Sequence, residues 1–285
     1  MRRLLFALTA GFALMGATET ASAQEILLTG PLAGAPPVRK LRLYREGRLE
    51  VAPAVSFTLL DQYQRTIFLG GRLTYNITDW LGIGVWGAYG GLLQLSTNLT
   101  DEIQGVNADR RAQRAARGGE PSVDDRLTAV NLGTDFEEQI GSINWLAAPQ
   151  LTIVPFRGKI ALFDAIYFDS ELYISGGAAF VNVRERAECT ENCSITPFAM
   201  EERTAIAPTG ALGLTFFVNK WNALGVELRV MPFERNLGGF DVAGSGPDEE
   251  FPDNRVTDAD RELSLNPMVT VSWNFYLPTE YRISE

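Results

Sequence analysis

Six charged residues carry the chemistry that is easiest to place in this sequence. Each stands on the polar side of a segment in which apolar and polar residues alternate, and this period predicts a β-strand with one apolar face. If the polar faces line a common interior, opposite charges must pair there, because an unpaired buried charge costs several kcal/mol. We therefore expect an internal ion network made of Glu50, Arg72, Asp169, Glu171, Glu227 and Arg229.

Such a network is compatible with two functions. A packed interior in which the ion pairs are purely structural predicts an impermeable protein, whereas a gated arrangement predicts a path for protons or ions. The interior glycines Gly82, Gly84 and Gly225 favour the path, because they would leave room. In the packed case, Arg72→Ala should destabilise the protein without altering transport.

The sequence contains no histidine, which weighs against catalysis. Histidine is the commonest general base, and it is also a principal zinc ligand. No nucleophile elbow and no Ser-x-x-Lys arrangement is present to replace it. We expect no enzymatic activity, no metal site and no cofactor.

A cluster of arginines in an alanine-rich stretch is the main candidate for an external binding site. Arg110, Arg114 and Arg117 recur at helical spacing, and Gly118-Gly119 would end that helix. Guanidinium groups bind phosphate in a bidentate manner, so these three residues are candidates for contact with lipopolysaccharide. A solvated charged helix is the alternative interpretation.

Cys189 and Cys193 are the only two cysteines. An even cysteine count in an exported chain suggests a disulfide, and this short ring would stiffen a loop slightly.

The elements that would position these residues follow from the alternation, which runs from Glu50 onward in segments of about ten residues, the length of a tilted strand crossing a bilayer. The sequence predicts an all-β fold: an eight-stranded antiparallel up-and-down transmembrane β-barrel with long external loops. The links after strands two and six are short, whereas those after strands three, five and seven are long, as in bacterial outer-membrane barrels. The predicted strands cover approximately residues 48–59, 66–76, 81–89, 145–156, 168–183, 205–218, 224–231 and 263–277.

Prolines conflict with this prediction. Five of them fall inside predicted strands, where proline removes a ladder hydrogen bond that lipid cannot replace. A closed barrel has no free edge, so we expect bulges or positions near strand ends at Pro53, Pro155, Pro208, Pro232 and Pro267.

The N-terminal region predicts export. Arg2 and Arg3 precede a short apolar core, and Ala21-Ser22-Ala23 fits the cleavage rule of a signal peptide. We expect a signal peptide at 1–23, a periplasmic lead-in at 24–47 and the barrel at 48–285. The lead-in would act as a docking peptide, a plug or a simple extended approach to the first strand. The net charge of −10 disfavours nucleic-acid binding.

Three segments give the chain a family resemblance. These are Leu28–Pro36 (LTGPLAGAP), Tyr44–Arg48 (YREGR) and Tyr75–Trp80 (YNITDW). In these segments the sequence resembles the outer-membrane β-barrel domain proteins of the myxobacterial and deltaproteobacterial type. The resemblance implies a location in the outer membrane of a Gram-negative bacterium and implies no reaction.

Taken together, these features predict a non-enzymatic outer-membrane barrel. It would serve as a structural or docking component of the envelope through its loops or lead-in, with outer-membrane lipids, lipopolysaccharide and other envelope proteins as partners. A narrow pore for ions or small solutes is the alternative. A soluble lipocalin-like binder is a third hypothesis, which predicts an apolar interior.

Overall fold

The computed structural model describes residues 42–119, 136–162, 166–186, 200–243, 256–280 and 282–283. Strands dominate these ranges: β1 (Arg42–Leu43), β2 (Arg48–Thr58), β3 (Gln64–Asn76), β4 (Leu81–Ser96), β5 (Ser142–Leu162), β6 (Ile166–Arg186), β7 (Met200–Phe217), β8 (Asn222–Val230), β9 (Phe233–Arg235), β10 (Glu262–Ser264), β11 (Met268–Leu277) and β12 (Arg282–Ile283). Two helices, α1 (Asn98–Ala116) and α2 (Phe136–Gln139), and a 3₁₀ turn (Asp258–Asp260) complete the described elements.

Eight strands form a closed antiparallel barrel in the order β11-β2-β3-β4-β5-β6-β7-β8. One row of paired residues that starts at Arg48 passes through all eight strands and returns to β2 at Thr58. This offset of ten residues is the shear of the barrel, and with eight strands it implies a strand tilt of about 40°. A barrel of this size has an interior that side chains fill. The predicted eight-stranded up-and-down fold is confirmed.

The outer face of the barrel is an apolar band. Along β7, side chains alternate between buried and exposed, and Leu212, Leu214 and Ile206 all point outward. Aromatic residues lie at two levels, with Tyr89 and Trp145 paired near the loop ends and Tyr75, Trp80, Phe156 and Trp221 near the short turns. The eleven steps from Trp145 to Phe156 rise about 28 Å at this tilt, which covers the apolar band of about 25 Å that outer-membrane barrels present to lipid.

Among the described residues, none of the helices is both long and apolar enough to cross a membrane.

Several strand boundaries differ from the predicted ones. Strand β4 extends beyond its predicted end toward the loop, and strands β5 and β6 extend beyond both of their predicted ends. The last barrel strand begins at Met268 and not at Leu263, because Glu262–Ser264 pairs with Phe233–Arg235 in a separate two-stranded sheet. Asn266, at a φ of 44°, and Pro267 separate the two strands.

Each proline that lies within a described strand coincides with a break in one of the two ladders that flank it. Pro53 pairs with Gly71 of β3, but the β2–β11 ladder skips this position between Ala54 and Val51. Pro208 lies beyond the end of the β7–β8 ladder, which stops at Gly210. Pro155 sits in the register shift between β5 and β6, as the bulge hypothesis predicts.

The remaining prolines follow the same rule. Pro232 and Pro267 lie outside the strands. Pro149, which the sequence analysis did not single out, lies opposite Val85 but in a gap of the β5–β6 ladder. The cost of a missing N–H is therefore confined to places where the ladder is already interrupted.

The described part of the lead-in approaches the barrel from the end that carries the short turns. Arg42 and Leu43 pair with Ile283 and Arg282 in a two-residue ladder, and β2 begins at Arg48. The predicted signal peptide at 1–23 and the lead-in up to residue 41 lie outside the described residues.

Candidate functional site

The lower lumen, which we define as the half of the interior nearest the turns at 77–80 and 218–221, contains a network of buried charges. Arg72 lies at its centre. The guanidinium of Arg72 donates to Glu50 Oε1 at 2.7 Å, to Glu227 Oε2 at 2.9 Å and to the Tyr173 hydroxyl at 2.7 Å. Tyr173 in turn donates to Glu227 Oε2 at 2.9 Å. All four side chains are buried, so the arrangement satisfies charges that could not otherwise leave water.

The network continues upward through Arg229. This residue lies 2.7 Å from Glu227 Oε1 and donates to Gln150 Oε1 at 2.8 Å and to Thr209 Oγ1 at 3.1 Å. Its Cζ atom also lies 4.2 Å from the centre of the Trp86 ring. A cation over an aromatic face is attracted by the ring, so Trp86 stabilises the upper end of the network.

The network continues downward through Glu50 to Arg45, which is not on a barrel strand. Arg45 lies 3.2 Å from Glu50 Oε2 and 2.5 Å from Glu171 Oε2. Arg157 lies 3.2 Å from Glu171 Oε1 and 3.7 Å from Asp79 Oδ1.

These contacts form a single row in which the charges alternate in sign. We call it the ion chain: Asp79, Arg157, Glu171, Arg45, Glu50, Arg72, Glu227 and Arg229. Four guanidinium groups balance four carboxylates, so the chain buries no net charge. This balance lets a narrow interior hold so many ions.

The segment Tyr44–Gly47, which we call the strap, carries Arg45 into the lower mouth. The backbone N–H groups of Arg45 and Glu46 donate to Asp79 Oδ1 at 3.2 and 3.1 Å. Gly47, at a φ of 71°, donates its N–H to the carbonyl of Asn76 at 2.9 Å. A positive φ favours glycine, so the residue type at position 47 suits the bend that turns the strap into β2.

The surroundings of Arg45 keep its guanidinium protonated. Burial alone would lower the pKa of this guanidinium, but the neighbouring Tyr276, Glu171 and Glu50 outweigh that effect and raise the pKa above its ordinary value. Arg45 therefore contributes a fixed positive charge to the ion chain.

Arg48, directly after the strap, makes hydrogen bonds to backbone carbonyls around the lower mouth. Its guanidinium donates to the carbonyl oxygens of Tyr44, Tyr276, Lys220 and Pro278 at 2.7 to 3.0 Å. These four carbonyls belong to the strap, the end of β11 and its following turn, and the turn between β7 and β8. One side chain thus ties together the three segments that meet at the mouth.

The upper lumen is filled by an apolar layer. Its members point inward from β3 to β7, from β11 and from the β8–β9 segment, and most are fully buried. They are Phe68, Trp86, Ile143, Leu146, Ala148, Ala179, Val181, Val183, Ala205, Ala207, Met231, Phe233 and Met268. The lumen therefore has two layers, a charged one below and an apolar one above.

The inward glycines do not leave the open space that the sequence analysis expected. A Cβ atom on Gly84 would lie 2.3 Å from the carbonyl oxygen of Leu73, and one on Gly225 would lie 2.4 Å from Ser272 Oγ. A Cβ atom on Gly82 would lie 2.9 Å from Thr74. These glycines allow close approach of neighbouring groups, so the inference that they make room for a pore was wrong.

A second group of ion pairs stabilises the end of the barrel that carries the long loops. Glu185 is buried and accepts from Arg203 at 2.5 Å, from Arg261 at 2.6 Å and from the backbone N–H of Asn236 at 3.0 Å. Arg235 pairs with Asp61 in the same region.

Aromatic packing adds to this external group. The ring of Tyr63 lies edge-on to Phe136 at 5.3 Å and to Phe240 at 5.9 Å. Burial, assisted by the nearby charge of Glu262, raises the pKa of the Tyr63 phenol. A cavity of about 420 Å³ opens beside this group, between Gln64, Glu138 and Arg184.

The structure brings together five of the six charges predicted to line the lumen. Glu50, Arg72, Glu171, Glu227 and Arg229 all belong to the ion chain. Asp169 instead lies at the mouth, where it accepts from the Tyr44 hydroxyl at 2.6 Å.

Alternation did not predict the ion-chain members Arg45, Arg157 and Asp79. Arg45 and Asp79 precede and follow strands, so alternation gives no orientation for them. Both nevertheless fall in the YREGR and YNITDW segments, and this was the available signal.

The predicted helix is present, with Arg110 and Arg114 within it and Arg117 at its C-cap. Helix α1 ends at Ala116 and is followed by Gly118 and Gly119, both at positive φ. The side chains of Arg114 and Arg117 are exposed, whereas that of Arg110 is outside the described residues. Cys189 and Cys193 also lie outside the described residues, and their disulfide remains a prediction.

No group of three or more His, Cys, Asp or Glu side chains placed to hold a metal ion occurs in the part of the chain that the structure describes.

Comparison with known proteins gives matches at the level of structure. No protein-family model matches the sequence, and no curated protein matches it either. The chain is similar to the N-terminal β-barrel domain of OprF from Pseudomonas aeruginosa, with 8% identity over 81% of this chain and 98% of that one, at a TM-score of 0.40. It is also similar to the outer membrane protein OprG from the same organism (9% identity, 82% and 97% coverage, TM-score 0.39). A third match is Ail, the attachment invasion locus protein of Yersinia pestis (13%, 81% and 99%, TM-score 0.34).

The location follows from the geometry of this chain itself. A closed barrel with an even number of strands, an apolar outer band and aromatic girdles is the architecture of bacterial outer-membrane proteins. The protein is an outer-membrane β-barrel of a Gram-negative bacterium. The lipocalin-like hypothesis predicted an apolar interior, and the buried charges of the lower lumen contradict it.

Proposed function

We propose that this barrel is a non-enzymatic structural and docking component of the outer membrane. One observation carries the proposal: the ion chain occupies the lower half of the lumen and the apolar layer occupies the upper half. A lumen occupied by side chains at both levels supports a role for the outside of the barrel, where the external loops and the lead-in face possible partners.

The pore alternative draws on the same charges. An ion path would need space for a hydrated ion beside Arg72, but its guanidinium makes hydrogen bonds to two carboxylates and a phenol. The apolar layer would add a dehydrated barrier above it. Both features favour the docking role over the pore.

Single-channel recording separates the two functions. The folded mature protein is placed in a planar bilayer and recorded alongside Arg72→Ala and the exposed control Arg114→Ala. The docking role predicts that all three are electrically silent although the wild type migrates as a heat-modifiable barrel. Stable openings whose conductance changes in Arg72→Ala would instead establish the pore.

We propose lipopolysaccharide as the partner of helix α1. Arg110, Arg114 and Arg117 occupy positions spaced by four and three residues, which places them on one side of the helix. The helix follows β4 on the loop side of the barrel, where the outer leaflet carries phosphorylated lipid A.

The arginines can be tested against a matched polar position on the same helix. Arg114→Ala with Arg117→Ala should weaken binding of lipopolysaccharide to the purified barrel by about tenfold. Gln113→Ala, also exposed, should leave binding unchanged. Equal binding by all forms, or equal binding of dephosphorylated lipid A, would remove lipopolysaccharide as the partner.

We also infer that the chain is of the myxobacterial and deltaproteobacterial type. Two of the segments that carry this resemblance meet in space, because Asp79 of YNITDW accepts from the backbone of Arg45 and Glu46 in YREGR. Their contact gives the shared pattern a structural reason, which is closure of the lower mouth. If the pattern has this role, exchanging both segments for those of another such barrel should preserve folding, whereas exchanging only one should impair it.

A further inference from the structure

We propose that the lower lumen contains a receptor site for a guanidinium cation, and that this chain fills the site with its own Arg45. The inference concerns the lumen and is independent of the docking function proposed above. It gives the lead-in a specific chemical role, that of a tethered ligand.

The groups that surround Arg45 form a built site. Glu171 Oε2 lies 2.5 Å from Nε, and Glu50 Oε2 lies 3.2 Å from one terminal nitrogen, which also lies 3.4 Å from Asn76 Oδ1. The rings of Tyr173 and Tyr276 lie 5.8 and 5.9 Å from the Arg45 Cζ atom. Carboxylates in the plane of a guanidinium, with aromatic rings nearby, provide the chemistry that recognises this planar cation.

All five of these groups belong to the barrel and none to the strap. They project from β2, β3, β6 and β11, which form a continuous hydrogen-bonded ring with the other strands. The receptor therefore stays in place when the strap or its side chain is changed, and only the ligand is lost.

Charge balance makes the site selective for a cation. Without Arg45, the ion chain retains three guanidinium groups and four carboxylates. Glu50 would keep Arg72 and Glu171 would keep Arg157, so a single positive charge is missing between them. A buried uncompensated charge is strongly destabilising, and a guanidinium ion that enters from solution would remove that penalty.

Chemical rescue of Arg45→Ala tests the proposal. The variant should unfold in urea at a lower midpoint than the wild type, and guanidinium chloride at millimolar concentration should raise this midpoint along a saturating curve. The saturating form follows because a ligand that binds only the folded state stabilises it by mass action. Sodium chloride and ammonium chloride at equal concentration should not produce it.

Arg203→Ala is the matched control. It also deletes an arginine that pairs with a buried carboxylate, but Glu185 retains Arg261 at 2.6 Å. Guanidinium should leave both this variant and the wild type unchanged. A rescue curve that is absent, that fails to saturate, or that also appears in Arg203→Ala overturns the proposal.

A second variant separates a lost site from a failure to fold. In Arg45→Ala/Glu171→Gln the ion chain regains a balance of three and three charges, so this form should be more stable than Arg45→Ala and should not respond to guanidinium. If Arg45→Ala does not fold in buffer, its refolding yield should rise and saturate with guanidinium. A flat yield, or a response by the double variant equal to that of the single one, would also overturn the proposal.

Discussion

At the scale of single residues, the ion chain explains how a narrow lumen tolerates eight charges. Each internal carboxylate stands between two guanidinium groups, as Glu227 does between Arg72 and Arg229. Deleting Arg45 or Arg72 therefore leaves two carboxylates each with one partner. The cost of a deletion depends on how deeply those carboxylates are buried, and Glu50 and Glu227 are almost completely buried.

Arg72→Ala should lower the free energy of unfolding by about 3–5 kcal/mol, because it removes the central cation of a buried network. Urea titration of the barrel in lipid vesicles measures this value. Arg114→Ala, on the exposed surface of α1, should change it by no more than about 0.5 kcal/mol. Similar values for the two variants would mean that the lumen is hydrated and that the ion chain contributes little.

Gly213→Ala tests how tightly the network is packed. An added Cβ atom would lie 2.2 Å from Tyr173 Cζ, so the ring must move and the hydrogen bonds of its hydroxyl to Arg72 and Glu227 must weaken. The expected loss is about 1–3 kcal/mol in urea unfolding.

Gly158→Ala is the matched control for that substitution, since it is also a strand glycine and a Cβ atom there meets nothing within 4 Å. The control should be neutral or slightly stabilising. If the two substitutions had the same effect, Tyr173 would not be packed against β7 in the way described.

Alternation predicted the strand-borne charges because it assigns each strand residue to a face. Alternation failed at Arg157. Gln150 and Thr152 point inward, so a regular strand would direct position 157 outward. The register shift between Ile153 and Phe156 reverses the two faces and turns Arg157 toward Glu171. A bulge cannot be located from alternation alone, although Pro155 marks the position of this one.

At the scale of elements, the strap is held by more than its charged side chain. The ring of Tyr44 stacks on Phe217 with centroids 4.1 Å apart, and its hydroxyl donates to Asp169. Asp79 supplies the acceptor for two consecutive backbone N–H groups of the strap. The turn between β3 and β4 thus acts as the latch for the strap.

Asp79→Ala should release the strap while the barrel remains folded, because the lost carboxylate belongs to a turn and not to a strand. Trypsin then gains access to Arg45, which is 1% exposed in the intact protein. Mass spectrometry of the digest should detect cleavage after Arg45 in the variant and not in the wild type.

Asp101→Ala provides the matched control, since Asp101 is an exposed acidic residue in the first turn of α1. It should leave Arg45 protected. Cleavage after Arg45 in the wild type would show that the strap is not closed in solution.

Strand ends were the least predictable elements. The sequence alternates through Leu263 and Leu265 toward Val269, yet the chain leaves the barrel ladder before Met268 and pairs with β9 instead. The choice between two ladders depends on contacts far apart in sequence, such as Arg235 with Asp61, and these cannot be inferred from a local pattern.

At the scale of the whole molecule, the fold was predictable because two constraints act together. A membrane requires every backbone polar group to be paired, and an alternating pattern of strand length then leaves a closed barrel as the solution. The layering of the lumen was not predictable, since Phe68, Trp86 and Leu146 occupy inward positions that the sequence analysis expected to be polar. Their apolar character reflects packing inside a narrow barrel and not contact with lipid.

The depth of the barrel in the bilayer gives a prediction that involves the whole outer band. Leu212 and Ile206 lie on the same face of β7, but Leu212 pairs with Ile174 and Leu228 in the middle of the band. Ile206 lies next to the first polar pair, Asn182 with Thr204, at the upper rim. Leu212→Arg should therefore lower the free energy of unfolding in vesicles by about 2–4 kcal/mol and Ile206→Arg by about 0–1 kcal/mol.

The difference between these two variants is informative because both introduce the same charge on the same strand and toward the same lipid. An arginine near the rim can extend its guanidinium to the headgroups, whereas one at the middle must draw water or headgroups into the hydrocarbon. Repeating the urea titration in vesicles of a shorter-chain lipid should reduce the cost of Leu212→Arg more than that of Ile206→Arg, since the centre of a thinner bilayer is closer to water. Equal costs in both lipids would place the apolar band at a different height, and the aromatic levels at Trp145 and Phe156 would then not mark the membrane boundaries.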